Sequence, residues 1–254
     1  MCLIVFGYRT VPGYRLIFAA NRDEFYNRPT ESARFWPENR NMLAGKDLKA
    51  GGTWLGVHRS GRYAALTNFR NLLTHNPDAK SRGHLVTEYL NSDSQPQDFL
   101  KSLNNPESYN GFNLLAGDKN KFFHFSNRSM KITEVPPGIH SVSNAFMNTP
   151  WPKVTQAKKE FKTLAENDSL NEKNLFKLLL NKKTYPHDQL PETGLSPEME
   201  KAVSAAFIKT ENYGTRCSTI LNIRDNGRVR FIERIFKPGT NEVEEENGYD
   251  FSFL

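Results

Sequence analysis

Cysteine is scarce in this sequence. Cys2 and Cys217 are the only two among 254 residues, which implies no disulfide framework and matches neither a zinc spacing nor a CxxC redox pair. The six histidines, at 58, 75, 84, 124, 140 and 187, form no HxxxH or HxxE cluster, so no metal site is expected, and the CxxCH haem-attachment motif is absent. Neither a Walker loop nor GxGxxG occurs, which argues against a nucleotide fold. No zinc-finger, RNP-type or helix-turn-helix signature is present, so nucleic acid is not expected as a partner. No apolar run approaches the 18 residues that a membrane-spanning helix needs. The run LIVF at 3–6 is too short for a signal-peptide core, and the expected location is the cytoplasm. There are no internal repeats, and the length suits one domain, 1–254.

The positive charge is placed unevenly. The formal net charge is +6, and residues 1–90 carry all of it, with 13 basic against 7 acidic side chains. Ten of those 13 are arginines, the side chains that bind carboxylates and phosphates through a planar fork. This suits an anionic small ligand, although a solvated surface is the better account of most of them.

Paired β-rich runs recur. Residues 3–8 and 14–20 flank Val11-Pro12-Gly13; 53–58 and 63–68 flank a turn at 59–62; 112–118 and 121–126 flank Lys119-Asn120; 218–224 and 228–236 flank Asp225-Asn226-Gly227. An Asn-Gly pair between such runs is a strong hairpin signal. Helices are expected at 82–91, 151–165, 170–181 and 196–208. Pro152 lies near the first turn of the second, Pro197 at the first helical position of the last, and Ser196 is placed to cap. Residues 183–195 are expected as a surface loop and the acidic stretch 242–246 as a solvated tail. Hairpins, then helices, then hairpins predict an α+β chain of antiparallel sheets covered by helices.

Two features carry chemical potential. Cys2 follows the initiator methionine, whose removal is expected because cysteine is small. It would then hold a thiol beside a free α-amine, and that amine has an unperturbed pKa of about 7.7–8.0, suited to take the thiol's proton. The alternative is a small apolar residue opening a buried strand. The second feature is Asn21-Arg22-Asp23-Glu24, expected where the strand 14–20 ends. If 3–8 pairs with 14–20, this corner lies beside Cys2, where Asp23 can bond the α-ammonium and Arg22 a ligand carboxylate or phosphate. The alternative is a polar turn with an internal ion pair, contributing about 0–1 kcal/mol. Asn68 and Asn144 end β-rich segments and can donate to an oxyanion or make Asx-turns. Arg216, in YGTRCST, can set a late cation over the site or sit exposed at a strand entry.

Seven ordered motifs, MCLIVF, AANRDEFYNRP, GGTWLGV, ALTNFR, NGFNLL, SNAFMNTPWPKV and YGTRCSTIL, resemble the NRDE family, also called the transport-and-Golgi-organisation-2 family, from residue 1 to about 236. The resemblance implies an N-terminal-nucleophile-hydrolase-like αββα sandwich. It also implies association with haem trafficking and with acyl-coenzyme A or lipid metabolism, and NRDE as the functional signature. The chain is more distantly similar to the penicillin V acylase and bile-salt hydrolase group, in which a processed cysteine attacks an amide. That similarity lets Cys2, Asp23, Asn68, Asn144 and Arg216 fill the catalytic places. Arg22 departs from the pattern, because that group's arginine stands three residues before the aspartate, where this chain has Ala20. The expectation is therefore a hydrolase-like protein binding and cleaving an acyl amide or thioester. The alternative is a non-catalytic carrier of acyl-coenzyme A or haem, with Asn21, Arg22, Asp23 and Glu24 contacting the ligand. An adaptor role is least favoured, and the oligomeric state is open.

Overall fold

In the computed structural model, residues 2–254 are described; Met1, and with it the expected methionine removal, lies outside them. The chain opens with the hairpin β1 (Cys2–Val11) and β2 (Tyr14–Phe25). Four strands follow: β3 (Thr30–Trp36), β4 (Asn39–Asp47), β5 (Leu55–His58) and β6 (Tyr63–Asn68). Two helices, α1 (Gly83–Asn91) and α2 (Pro96–Lys101), lead to β7 (Phe112–Gly117), β8 (Phe122–Ser126), β9 (Lys131–Glu134) and β10 (Gly138–Val142). A helical stretch then holds α3 (Pro152–Glu166), α4 (Glu172–Leu179) and α5 (Pro197–Ala202), and the chain closes with β11 (Tyr213–Arg224), β12 (Arg228–Phe236) and β13 (Val243–Ser252).

The strands form two antiparallel sheets. One runs β10-β1-β2-β11-β12-β13, the other β3-β4-β5-β6-β7-β8-β9. Strand alternation divides the apolar residues. Phe6, Phe18, Phe122, Leu115, Leu221 and Phe231 pack between the sheets. Val5, Ile17 and Ala19 turn outward against Phe161 of α3 and Leu175 of α4, and Ala64, Leu114 and Ala116 lie under Leu85 and Tyr89 of α1. Burying a side chain such as Phe161 stabilises by roughly 1.5–3 kcal/mol. The order of layers is helix, sheet, sheet, helix, the αββα architecture that the family resemblance implies.

Several local expectations change. The strand expected at 14–20 runs on to Phe25, because β1 pairs with it as far as Arg22, opposite Cys2, and β11 as far as Phe25, opposite Tyr213. The NRDE residues are therefore strand residues and not a turn. The acidic segment is no solvated tail. It belongs to β13, where Glu246 pairs with Arg234 and Asp250 with Arg230, while Tyr249 and Phe251 lean on the inter-sheet core. The last helix stops at Ala202 instead of 208, since the following backbone bonds elsewhere: Phe207 N–H to the Asn181 carbonyl and Ile208 N–H to the Thr215 hydroxyl. Strands β3 and β4 escaped the sequence reading because their charged residues break up the apolar alternation.

Candidate active site

The β1–β2 ladder sets Cys2 directly opposite Arg22. Side chains of directly opposed residues share a face, and here that face looks towards the second sheet, at one end of the sandwich. A cleft of about 380 Å³ opens there, and Cys2, Arg22, Asp23, Glu24, Trp54 and Asn68 are among the residues lining it. Cys2 is half-buried. Its carbonyl accepts from the Ser143 hydroxyl at 2.7 Å. Burial pushes the thiol above its ordinary value; the Asp23 carboxylate adds to this, while its backbone N–H and the Arg22 guanidinium favour the thiolate. Cys2 is thus a thiol near neutral pH and needs a base to act as a nucleophile.

Asp23 is 2 % exposed. Its Oδ1 accepts from the Thr215 hydroxyl at 2.6 Å and its carbonyl from the Tyr213 hydroxyl at 2.9 Å. Burial raises its pKa, against the Thr215 bond and the nearby Lys153 ammonium, which lower it. Arg22 lies 4.2 Å over the Trp54 ring, donates to the Thr30 hydroxyl at 3.3 Å and stands 3.8 Å from Asp47. Asp47 is held more closely by Arg28, at 2.7 Å, and Arg28 reaches Glu24 at 3.8 Å.

Of the remaining residues singled out from the sequence, Asn68 is brought to the cleft and Asn144, Arg216 and Asn21 are held elsewhere. Asn68 ends β6 and lines the cleft. Asn144 is fully buried; its amide donates to the Asn68 carbonyl at 2.9 Å and so ties the segment after β10 to the end of β6. Arg216 is the extra residue of a β-bulge between Thr215 and Cys217, and its Nη1 donates to the carbonyls of Phe25, Tyr26 and Arg28. It straps the chain after β2 and is not brought to the cleft. Asn21 is not brought there either: it opposes Leu3 on the helix-facing side, donates to the Leu179 and Ala206 carbonyls at 2.8 Å each and accepts from the Ser218 hydroxyl. The alternation of β2 sends Asn21 and Arg22 to opposite faces.

Other contributors were not legible as a site. Trp54 supports Arg22 and packs on Gly45, where a Cβ would collide with its ring. Gly52 lets the chain approach Gly83, whose carbonyl carbon would lie 2.5 Å from a Cβ; the GGTW motif is thus a packing device beside the cleft. Lys153, in the first turn of α3, is 3 % exposed, donates to the Val203 carbonyl at 2.9 Å and has its pKa lowered to about 8, chiefly by burial. Arg70 and Glu200 form a buried pair at 2.8 Å, with Arg70 4.8 Å over Trp151. Sharing Glu24, Arg28, Asn68 and Arg82 with the cleft is a second cavity of about 510 Å³, whose apolar wall includes Phe25, Phe69, Leu72, Leu195 and Met199.

The family model described as transport and Golgi organisation 2 matches residues 1–238. The chain belongs to the transport and Golgi organisation 2 family. It is 36% identical over 274 residues to the Transport and Golgi organization 2 homolog of Mus musculus, covering 99% of both chains. To the Homo sapiens homolog it is 35% identical with the same coverage. Among solved structures, a mutant of conjugated bile acid hydrolase from Clostridium perfringens superimposes with a TM-score of 0.53 at 10% identity, over 98% of this chain and 97% of that one. The Caenorhabditis elegans orthologue of N-acylethanolamine-hydrolyzing acid amidase gives 0.52 at 10%, over 87% and 92%. At that identity the likeness shows the fold, and the fold of this family member is that of N-terminal-nucleophile hydrolases.

Proposed function

We propose that the chain is a cytoplasmic cysteine hydrolase acting on an acyl thioester or amide carried by an anionic amphiphile such as an acyl-coenzyme A. One observation carries the reading: the half-buried Cys2, flanked by Arg22 and Asp23, lines a polar cleft that continues into an apolar cavity. A ligand with a charged head and an apolar tail suits both halves.

In this reading the Cys2 sulfur attacks the acyl carbonyl carbon. Its proton passes to the α-amine that Cys2 bears once Met1 is removed, the base that the raised thiol pKa calls for. The Asn68 amide, at the cleft wall, donates to the developing oxyanion, a contribution of about 10²–10³ in rate for such a donor. The carbon–sulfur bond of the thioester breaks, and the leaving thiolate takes back the proton. Water then cleaves the acyl–Cys2 bond, releasing the acid and the free thiol. Arg22 favours the thiolate electrostatically, and Trp54 and Asp47 hold it in place.

The test is the intact mass of the purified chain before and after incubation with an acyl-coenzyme A. An acyl adduct on Cys2 that forms and decays supports the enzyme. Binding without any adduct assigns the site to carriage of acyl-coenzyme A or haem, and a retained Met1 rules out the α-amine mechanism.

A further inference from the structure

We infer that the rim around the cleft and the apolar cavity docks on the surface of an anionic lipid bilayer. Large apolar side chains exposed singly are ordinary, whereas several at one place mark an interaction surface. Here they gather at one rim. Phe25, 56% exposed, and Leu72, 44% exposed, line the apolar cavity. Leu73, next in the chain, is 87% exposed, and Phe146 packs on Phe69 of the cavity wall with ring centroids 4.9 Å apart.

The Leu72-Leu73 projection is held firmly. It is a single 3₁₀ turn whose N-cap, Asn71, accepts from the Leu73 N–H at 3.1 Å. The Leu72 N–H donates to the Thr193 carbonyl at 3.0 Å, and the Arg128 guanidinium donates to the Thr74 hydroxyl at 2.9 Å. A fixed turn that holds Leu73 out in water gains nothing from it in the isolated chain.

Charge selects the partner. Lys49 and Lys80 line the neighbouring cleft, are exposed, and enter no ion pair among the described residues. Arg128 lines the apolar cavity and is exposed as well. The carboxylates of Asp47 and Glu24 are engaged by Arg28, which leaves Asp78 as the exposed acid on the 72–80 segment. Apolar side chains that can enter the headgroup region, with Lys49, Lys80 and Arg128 exposed beside them on the lining of the cleft and cavity, fit an anionic bilayer better than a neutral one. An amphiphile resting in that bilayer would reach the apolar cavity without its tail crossing water. This inference rests on the amphiphile reading of the cavity but not on turnover.

The experiment is co-sedimentation of the full chain with vesicles of phosphatidylcholine alone or mixed with phosphatidylglycerol. The chain is expected to sediment with the anionic vesicles, and less so as NaCl is raised from about 0.05 to about 0.5 M. Leu72→Ser with Leu73→Ser, and separately Lys49→Glu with Lys80→Glu, should each lower partitioning by about tenfold or more while the melting curve keeps its shape. Cys2→Ala should sediment like the parent chain even though it forms no acyl adduct, which separates this inference from the catalytic one. A parent chain that stays in the supernatant with both vesicle types overturns the proposal. So does unchanged sedimentation of both double variants. A parent dimer that the leucine variant turns into a monomer, with no vesicle binding by either, would assign the surface to a second copy of the chain.

Discussion

Arg22 stands opposite Cys2 in the β1–β2 ladder, and its guanidinium is clamped 4.2 Å above Trp54. Fixed in this way, the cation acts on the thiol without forming a direct ion pair with it. Arg22→Met should therefore raise the pH at which Cys2 becomes alkylated, because it removes a charge that favours the thiolate. Iodoacetamide labelling of Cys2 against pH measures this. The parent inflection is expected above the ordinary thiol value of about 8.5, and the variant's higher still. An unmoved inflection would remove Arg22 from the site's electrostatics.

Cys2→Ala should abolish acyl-adduct formation and leave ligand affinity within about threefold, since the thiol supplies chemistry and little binding area. Adduct mass and a binding titration read the two effects separately.

The two asparagines should respond differently. Asn68→Ala is expected to slow adduct formation by about 10²–10³ with little change in stability. Asn144→Ala removes a buried donor from the Asn68 carbonyl and should cost about 1–3 kcal/mol of stability. Single-turnover rates and urea denaturation distinguish them.

Lys153 gives a pH signature. Its pKa is about 8 in the folded chain against about 10.4 unfolded. Between these values the unfolded chain binds more protons, so this lysine makes stability rise with pH across that window; its contribution is full above the unfolded value and is lost as pH falls through about 8. Melting temperatures of the parent and Lys153→Met from pH 7 to 10 should show a steeper upward trend in the parent, and equal slopes would contradict the assignment.

Arg70→Met leaves Glu200 buried without its cation and should destabilise by about 3–5 kcal/mol. The double change Arg70→Met with Glu200→Gln should recover part of that loss. Thermal melts of the two variants make the comparison.

The sequence alone determined the four hairpins β1–β2, β5–β6, β7–β8 and β11–β12, the approximate starts of α3 and α5, and the nearness of Cys2 to the NRDE segment. These are local properties: β-rich runs around turn residues, prolines at helix starts, and two strands short enough in separation that only one pairing is available. It also carried the family, because seven motifs in order are specific in a way that no single one is. What tertiary structure decided was the direction and partner of each polar group. Asn21 and Arg22 are neighbours in sequence, yet strand alternation gives one to the helix layer and the other to the cleft. Arg216 reads as a candidate cation until the bulge beside it turns its guanidinium onto three carbonyls. Trp54, Asp47 and Thr215 carry no sequence signal at all as members of a site, since they reach Arg22 and Asp23 only when two sheets and a late strand converge. Long-range packing makes that convergence, and local spacing does not encode it.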